Sequence, residues 1–211
     1  MNQLRVSIFL FCFLPLNVVA QGCDTIDRLD VATPNELFDA AVRCSDIVDA
    51  STLMIAGQIR AMTDFSTLPP KTEQDKQKTA SLYGRIYWKL GGAGPYELYR
   101  SEESYTEFRR RLEAWLPTDL AAYEPGWGYR SAPPYDVYLK IIEEQKQRRL
   151  KTLDRHYLLL SNDEYYELKL EENEILRRNN NQIVKGSKDA EAVRTLSEKM
   201  GAVSARILGE N

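Results

Sequence analysis

Histidine is the side chain best suited to acid–base catalysis near neutral pH, and this sequence contains one, His156. It lies in the stretch Asp154-Arg155-His156-Tyr157, so a general base beside an acid is one interpretation. The sequence has no Gly-x-Ser-x-Gly, no His-Glu-x-x-His and no phosphate-binding loop to accompany it. We therefore favour a partly buried histidine on an amphipathic helix and assign no catalytic residue.

Carboxylates are the other plentiful source of chemistry. One acid and one base suffice to hydrolyse a glycosidic bond, and Glu124 and Asp136 flank a single connecting stretch. Their separation in space does not follow from the sequence. The competing interpretation is that the two acids cap turns and helices, and it is the one that we favour.

The connecting stretch itself, Glu124–Pro134, reads EPGWGYRSAPP. Its prolines restrict the backbone, while the glycines on either side of Trp127 allow positive φ. A stiff loop presenting Trp127, Tyr129 and Arg130 would suit partner binding, because these residue types are enriched at binding hot spots. The alternative is that Trp127 and Tyr129 fold back and plug a helix bundle. The two interpretations do not exclude each other, and both stay open here.

The sequence predicts neither a cofactor nor a metal. The glycine-rich run Gly91–Gly94 follows a helical pattern and precedes Pro95, whereas a nucleotide-binding loop follows a strand. It is typical of a helix stop. Two cysteines outside the first twenty residues and one histidine are too few for a structural zinc site.

The N-terminus predicts secretion. Arg5 precedes an apolar run, and Val18-Val19-Ala20 supplies the small residues of a cleavage site, so residues 1–20 are a predicted signal peptide. The run is shorter than the about 20 residues of a membrane-spanning helix. We expect a periplasmic or secreted protein, cleaved near Ala20, in which Cys23 and Cys44 form a disulfide.

Charge argues against a nucleic-acid partner. The chain carries 28 basic and 31 acidic residues, and removal of the signal peptide would take away Arg5 and no acid. The mature chain is therefore mildly acidic, with charges of both signs mixed along it, whereas nucleic-acid binding depends on clustered positive charge.

The elements that position these residues read as helices. Capping signals occur at Thr33–Glu36, Ser104–Glu107 and Ser161–Glu164, and Asp49 is a further candidate cap. The sequence predicts an all-α bundle of antiparallel helix hairpins in 21–134, followed by a long charged helical segment in 135–211 that packs on it or extends from it. Residues 163–171 also alternate as a strand would, although their Glu-rich composition favours a helix.

Residues 30–90 resemble small bacterial periplasmic helical proteins. The resemblance rests on Thr33-Pro34-x-Glu36-Leu37-Phe38, on Cys44 in the first helix, and on a second helix that ends in a turn from Arg60 to Phe65. Several such proteins resemble immunity proteins of type VI secretion systems, which neutralise toxins delivered to the periplasm. The resemblance implies a non-enzymatic protein whose partner is another protein.

Three functions are thus expected in order. The first is a periplasmic binding protein that neutralises a toxin or envelope enzyme by occluding its active site. The second is an envelope carbohydrate-active enzyme that uses paired carboxylates, with Trp127 and Tyr129 stacking on sugars. The third is an envelope assembly or chaperone factor that uses the charged C-terminal helices.

Overall fold

The structure of the protein, a computed structural model, describes residues 23, 27–88, 96–117, 120, 123–180 and 182–210, with only the backbone of 86–88. In these residues the prediction of an all-α fold is confirmed, and no strand occurs. A 3₁₀ helix at Tyr96–Arg100 precedes α4. The α-helices are α1 (Pro34–Arg43), α2 (Ile47–Thr67), α3 (Glu73–Trp88), α4 (Glu102–Ala114), α5 (Tyr135–Leu160), α6 (Asp163–Arg178) and α7 (Lys188–Leu208). The predicted helix stop at 91–94 lies outside the described residues.

The first helix begins where the sequence predicts. The Thr33 hydroxyl accepts from the Glu36 N–H at 3.2 Å, and the Glu36 carboxylate accepts from the Thr33 N–H at 2.7 Å. This reciprocal pair satisfies two amide donors that have no partner within the helix. Pro34 occupies the first helical position, where the missing N–H costs nothing.

Three other predicted caps were wrong by one to three residues. Asp46 rather than Asp49 caps α2, because the Asp46 carboxylate accepts from the Asp49 N–H at 2.8 Å. Ser101 caps α4 in place of the predicted Ser104. Asn162 caps α6, one residue beyond the predicted Ser161. The segment 163–171 is helical, as its composition favoured.

Helix α2 is the centre of the bundle. Of its 21 residues, 13 are buried, and it packs against α1, α3, α4 and α5. The close contact with α1 depends on Gly57, where an added Cβ would lie 2.7 Å from the Phe38 ring. The main core forms where α2, α4 and α5 meet, and it includes Ile55, Ile59, Phe108, Leu112, Tyr138 and Ile142.

The C-terminal segment packs on the rest of the chain. Tyr138, Ile142, Leu150 and Leu153 of α5 belong to the same hydrophobic core as α2 and α4. Helices α6 and α7 pair with each other and both contact α5. The chain from 135 onwards thus contributes α5 to the central core and adds a helix hairpin beside it.

Cys23 and Cys44 lie at disulfide-bonding distance, as predicted, with an S–S distance of 1.95 Å and their Cα atoms 4.9 Å apart. The Asp49 carboxylate lies within 4.8 Å of both sulfur atoms, but sulfurs bonded to each other do not provide the thiolates that a metal ion requires. Among the described residues, no helix has the length and apolar character to cross a membrane.

Candidate functional site

The loop Glu124–Pro134 is braced against the end of α2. Tyr129 forms an isolated antiparallel bridge with Pro70. On either side of it, the Lys71 N–H donates to the Gly128 carbonyl and the Arg130 N–H donates to the Pro69 carbonyl, both at 2.9 Å. The backbone of this loop is therefore held by the segment that connects α2 to α3.

Trp127 is packed inside the protein, with 6% of its surface exposed. Its indole N–H donates to the Leu68 carbonyl at 3.1 Å, and its ring belongs to a small core cluster with Phe38 and Leu82. Gly126, with φ of 95°, makes the turn that directs the indole inward. Of the two interpretations of the loop, the plug describes Trp127, whose ring is not presented for stacking on a sugar.

The first turn of α3 holds the loop from its other side. The Asp75 carboxylate accepts from the Gly128 N–H at 2.9 Å and from the Thr72 hydroxyl at 2.7 Å. These hydrogen bonds, that from Thr72 foremost, lower the pKa of Asp75 and keep it charged. One carboxylate thus ties the start of α3 to the loop.

The exposed part of the loop differs from the predicted set. Arg130 is exposed and Tyr129 half-buried, so of the three predicted binding residues only Trp127 is withdrawn from solvent. A shallow recess of about 430 Å³ lies beside the loop, with Lys78, Glu124 and Tyr129 among its lining residues. Arg130 is the member of the predicted set that a partner can reach most freely.

Behind the loop, a row of aromatic rings leads to a second surface. The Trp127 ring stacks on Phe65, with centroids 6.0 Å apart, and the Phe65 ring packs on Tyr83 at 5.8 Å. Tyr83 is 46% exposed, although its place in the apolar pattern of α3 suggests the core. The aromatic character of the loop therefore reaches solvent through α2 and α3. The sequence analysis missed this surface, whose sequence signal is the adjacent apolar pair Leu82-Tyr83, of which one side chain faces inward.

A buried polar network lies below the loop and ties it to α2 and α5. Asp64 is fully buried and accepts from the hydroxyl groups of Tyr123 and Tyr138, the latter at 2.8 Å. Burial raises the pKa of Asp64 to about 7, against the opposing effects of both tyrosines and of Arg60. With no exposed surface, this carboxyl group connects three segments and does not meet a substrate from solvent.

Arg60, one turn before Asp64, holds the N-terminal arm. Its guanidinium donates to the Ala32 carbonyl at 2.6 Å and to the Asp30 carbonyl at 2.7 Å. The Tyr123 ring lies over it at 4.5 Å, and the Trp115 ring at 5.6 Å. This buried arginine satisfies backbone carbonyls that would otherwise lack a donor.

Lys146 performs a similar task for α4. It is buried, and its ammonium group donates to the carbonyls of Glu113 and Trp115 at 2.9 and 3.0 Å and pairs with Glu143 at 2.8 Å. It therefore supplies donors at the carboxyl end of α4. In the sequence it lies in a charged stretch that suggests a solvated surface.

His156 does not form the acid–base pair that its neighbour suggests. Asp154 instead accepts from the Tyr105 hydroxyl at 2.6 Å and from Arg109 Nε at 2.8 Å. The His156 ring is half-buried, with Tyr99 in an edge-on contact at 6.4 Å. Burial, and then the positive charges around it, lower the pKa of His156 and favour the neutral ring. Its environment is that of a packed helix position, as we favoured.

Glu124 and Asp136 are both exposed. Glu124 lies in the loop, and Asp136 lies in the first turn of α5, where a negative charge interacts favourably with the helix dipole. Asp136 is placed as the helix-end interpretation expects. Comparison of the chain with protein-family models, curated proteins and solved structures finds no match.

Proposed function

We propose that this protein is a non-enzymatic binding protein of the bacterial envelope, and specifically an inhibitor of the immunity kind that occludes the active site of a toxin or envelope enzyme. The single observation that carries the proposal is the braced loop. Its backbone is fixed by hydrogen bonds to both ends of the α2–α3 connection, and Trp127 anchors it from inside.

Such a loop suits recognition because its ordering cost is met during folding. A flexible loop loses conformational entropy when it binds, whereas one already fixed at Pro69, Lys71 and Asp75 loses little. Arg130 extends from this support into solvent, with donors suited to a carboxylate. Inhibitors that block active sites commonly use such preorganised surfaces.

The environments of the acids favour binding over glycoside hydrolysis. Catalysis by two carboxyl groups needs one with a raised pKa and access to substrate. Asp64 has the raised pKa but is fully buried, while Glu124 and Asp136 are exposed. Trp127, the proposed sugar platform, is used as a core residue.

Secretion is part of the same proposal. It is supported by the signal-like N-terminus and by two cysteines that lie at disulfide-bonding distance, a bond that persists in oxidising compartments. A partner in the periplasm would meet the protein in that state.

The test uses the product of the neighbouring gene as the partner, with binding measured by calorimetry and protection measured as survival of cells that express it. Arg130→Ala should weaken binding at least tenfold without changing the melting temperature. The matched control is Arg148→Ala, an exposed arginine on α5. Glu124→Gln and Asp136→Asn should each retain full protection, because no proton transfer is involved. Loss of protection in either carboxamide variant, with the fold retained, would favour the enzyme instead.

A further inference from the structure

The largest exposed apolar feature near the loop is a groove between α2 and α3. It has a volume of about 570 Å³, and its lining includes Met62, Phe65, Ser66, Pro70, Ala80 and Tyr83. This volume lies within the usual range of about 300–1,000 Å³ for binding pockets. It has room for one or two large apolar side chains.

The walls of the groove are firm. Phe65 lies between the rings of Tyr83 and Trp127, so its position is fixed from both sides. On α3, the short side chains of Thr79 and Ala80 precede Tyr83 by one turn and leave the space open. The opening is therefore a consequence of side-chain size on a helix face and needs no conformational change to form.

Positive charge gathers at the end of the groove near the start of α3. Lys71 follows Pro70 directly, and Lys76 lies one turn before Ala80 on the same helix face. Arg130 joins this end, since its N–H is bonded to the Pro69 carbonyl. All three side chains are exposed.

Most of that charge is not neutralised locally. Lys76 pairs with Glu73 at 2.8 Å, but Lys71 and Arg130 take part in no ion pair within the described residues. The chain as a whole carries a net charge of −3, so a positive end beside an apolar groove departs from the average surface. Charge complementarity of this kind selects partners and orients them.

We propose that the groove is the docking site for a segment of the partner protein that carries an apolar anchor side chain flanked by Asp or Glu residues. The anchor enters between Phe65 and Tyr83, and the acids face Lys71, Lys76 and Arg130. The inference rests on the proposed binding function and specifies the chemistry of its partner. Because the loop and the groove share the Pro69–Lys71 segment, the two form one continuous surface.

The experiment uses synthetic peptides as probes, so that it does not depend on knowing the partner. Three fluorescent pools share one central Trp, Phe or Leu, and their flanking residues are acidic, basic or Ser/Gly. Fluorescence anisotropy with the mature protein should show binding of the acidic pool at least tenfold tighter than that of the other two. Raised salt should weaken it.

Two sets of variants locate the binding. Ala80→Gln fills the groove with a neutral side chain on an exposed helix position, and should weaken the acidic pool at least tenfold. Lys71→Glu with Lys76→Glu should abolish the preference for acidic peptides. Ala202→Gln on α7, also an exposed alanine, and Lys151→Glu with Lys199→Glu are matched controls and should change neither.

Three results would overturn the proposal. One is equal binding of the basic and acidic pools, and a second is binding that Ala80→Gln leaves intact. The third is a self-associating protein in sedimentation that Ala80→Gln makes monomeric, which would assign the groove to a second copy of the chain. Failure of the groove remains distinguishable from failure of the binding function, because the neighbouring gene product can still be tested against Arg130→Ala.

Discussion

Replacing Asp64 by asparagine tests the buried network most directly. In the folded protein this carboxyl group accepts from Tyr123 and Tyr138, and burial raises its pKa from 3.8 to about 7. Asparagine has nearly the same shape and no charge. Its amide oxygen can accept from one tyrosine while its NH₂ group donates to the other hydroxyl oxygen. The variant should therefore preserve the network of the protonated acid.

The sign of the pH effect follows from the raised pKa. The folded protein holds the Asp64 proton more tightly than the unfolded chain does, so this group adds stability below about pH 4 and loses that contribution as the pH rises to about 7. Three pKa units correspond to about 4 kcal/mol, with a slope of about 1.4 kcal/mol per pH unit. Asp64→Asn has no such titration. The variant should therefore gain stability relative to the native protein by up to about 4 kcal/mol between pH 4 and 8.

Urea unfolding followed by circular dichroism at half-unit steps from pH 4 to 8 measures the difference between the two proteins. Asp136→Asn, at an exposed acid, is the control and should shift the difference by less than about 0.5 kcal/mol at any pH. Asp64→Leu should destabilise throughout the range, because both tyrosine hydroxyl groups lose their acceptor. A constant difference between Asp64→Asn and the native protein, or a loss that grows with pH, would refute the raised pKa and assign the stabilisation to an ionised pair with Arg60.

Two further predictions follow from the loop and the N-terminal arm. Trp127→Ala should lower the free energy of unfolding by about 3–5 kcal/mol, because it leaves a cavity and an unpaired Leu68 carbonyl, and urea unfolding with Arg130→Ala as the neutral comparison checks it; an unchanged midpoint would contradict the plug. Thiol titration of the unfolded, non-reduced mature protein should find no free thiol at Cys23 or Cys44, and reduction should cost roughly 3 kcal/mol of stability for a loop of this length; two titratable thiols would disprove the bridge.

Local signals in the sequence were enough for the helices. The capping box at Thr33 works with residues three apart and needs no help from the rest of the fold. The starts of α2, α4 and α6 were misplaced because several Ser, Asp and Asn residues compete there. Packing selects among them: starting α4 at Glu102, for example, places the buried Tyr105 within the helix.

The loop shows where sequence reasoning ended. Its rigidity followed from proline and glycine, and Gly126 indeed adopts positive φ. The inward direction of Trp127 depends on Leu68, which accepts its hydrogen bond from 59 residues earlier in the chain. Arg60 and Asp64 were missed for a related reason. A charged residue on a helix suggests solvent unless its distant partners are known.

The polar side of α2 also determines the order in which the chain can fold. Asp64 waits for Tyr123 and Tyr138, which follow it by 59 and 74 residues, and Gln58 accepts from Arg149, 91 residues further on. Until those residues have been synthesised, these groups have only water as a partner, and burying them would be unfavourable. Helices α1 and α2 can meet early, because three residues join them. The centre of the bundle closes only when α5 arrives, so the late half of the chain governs the completion of its first half.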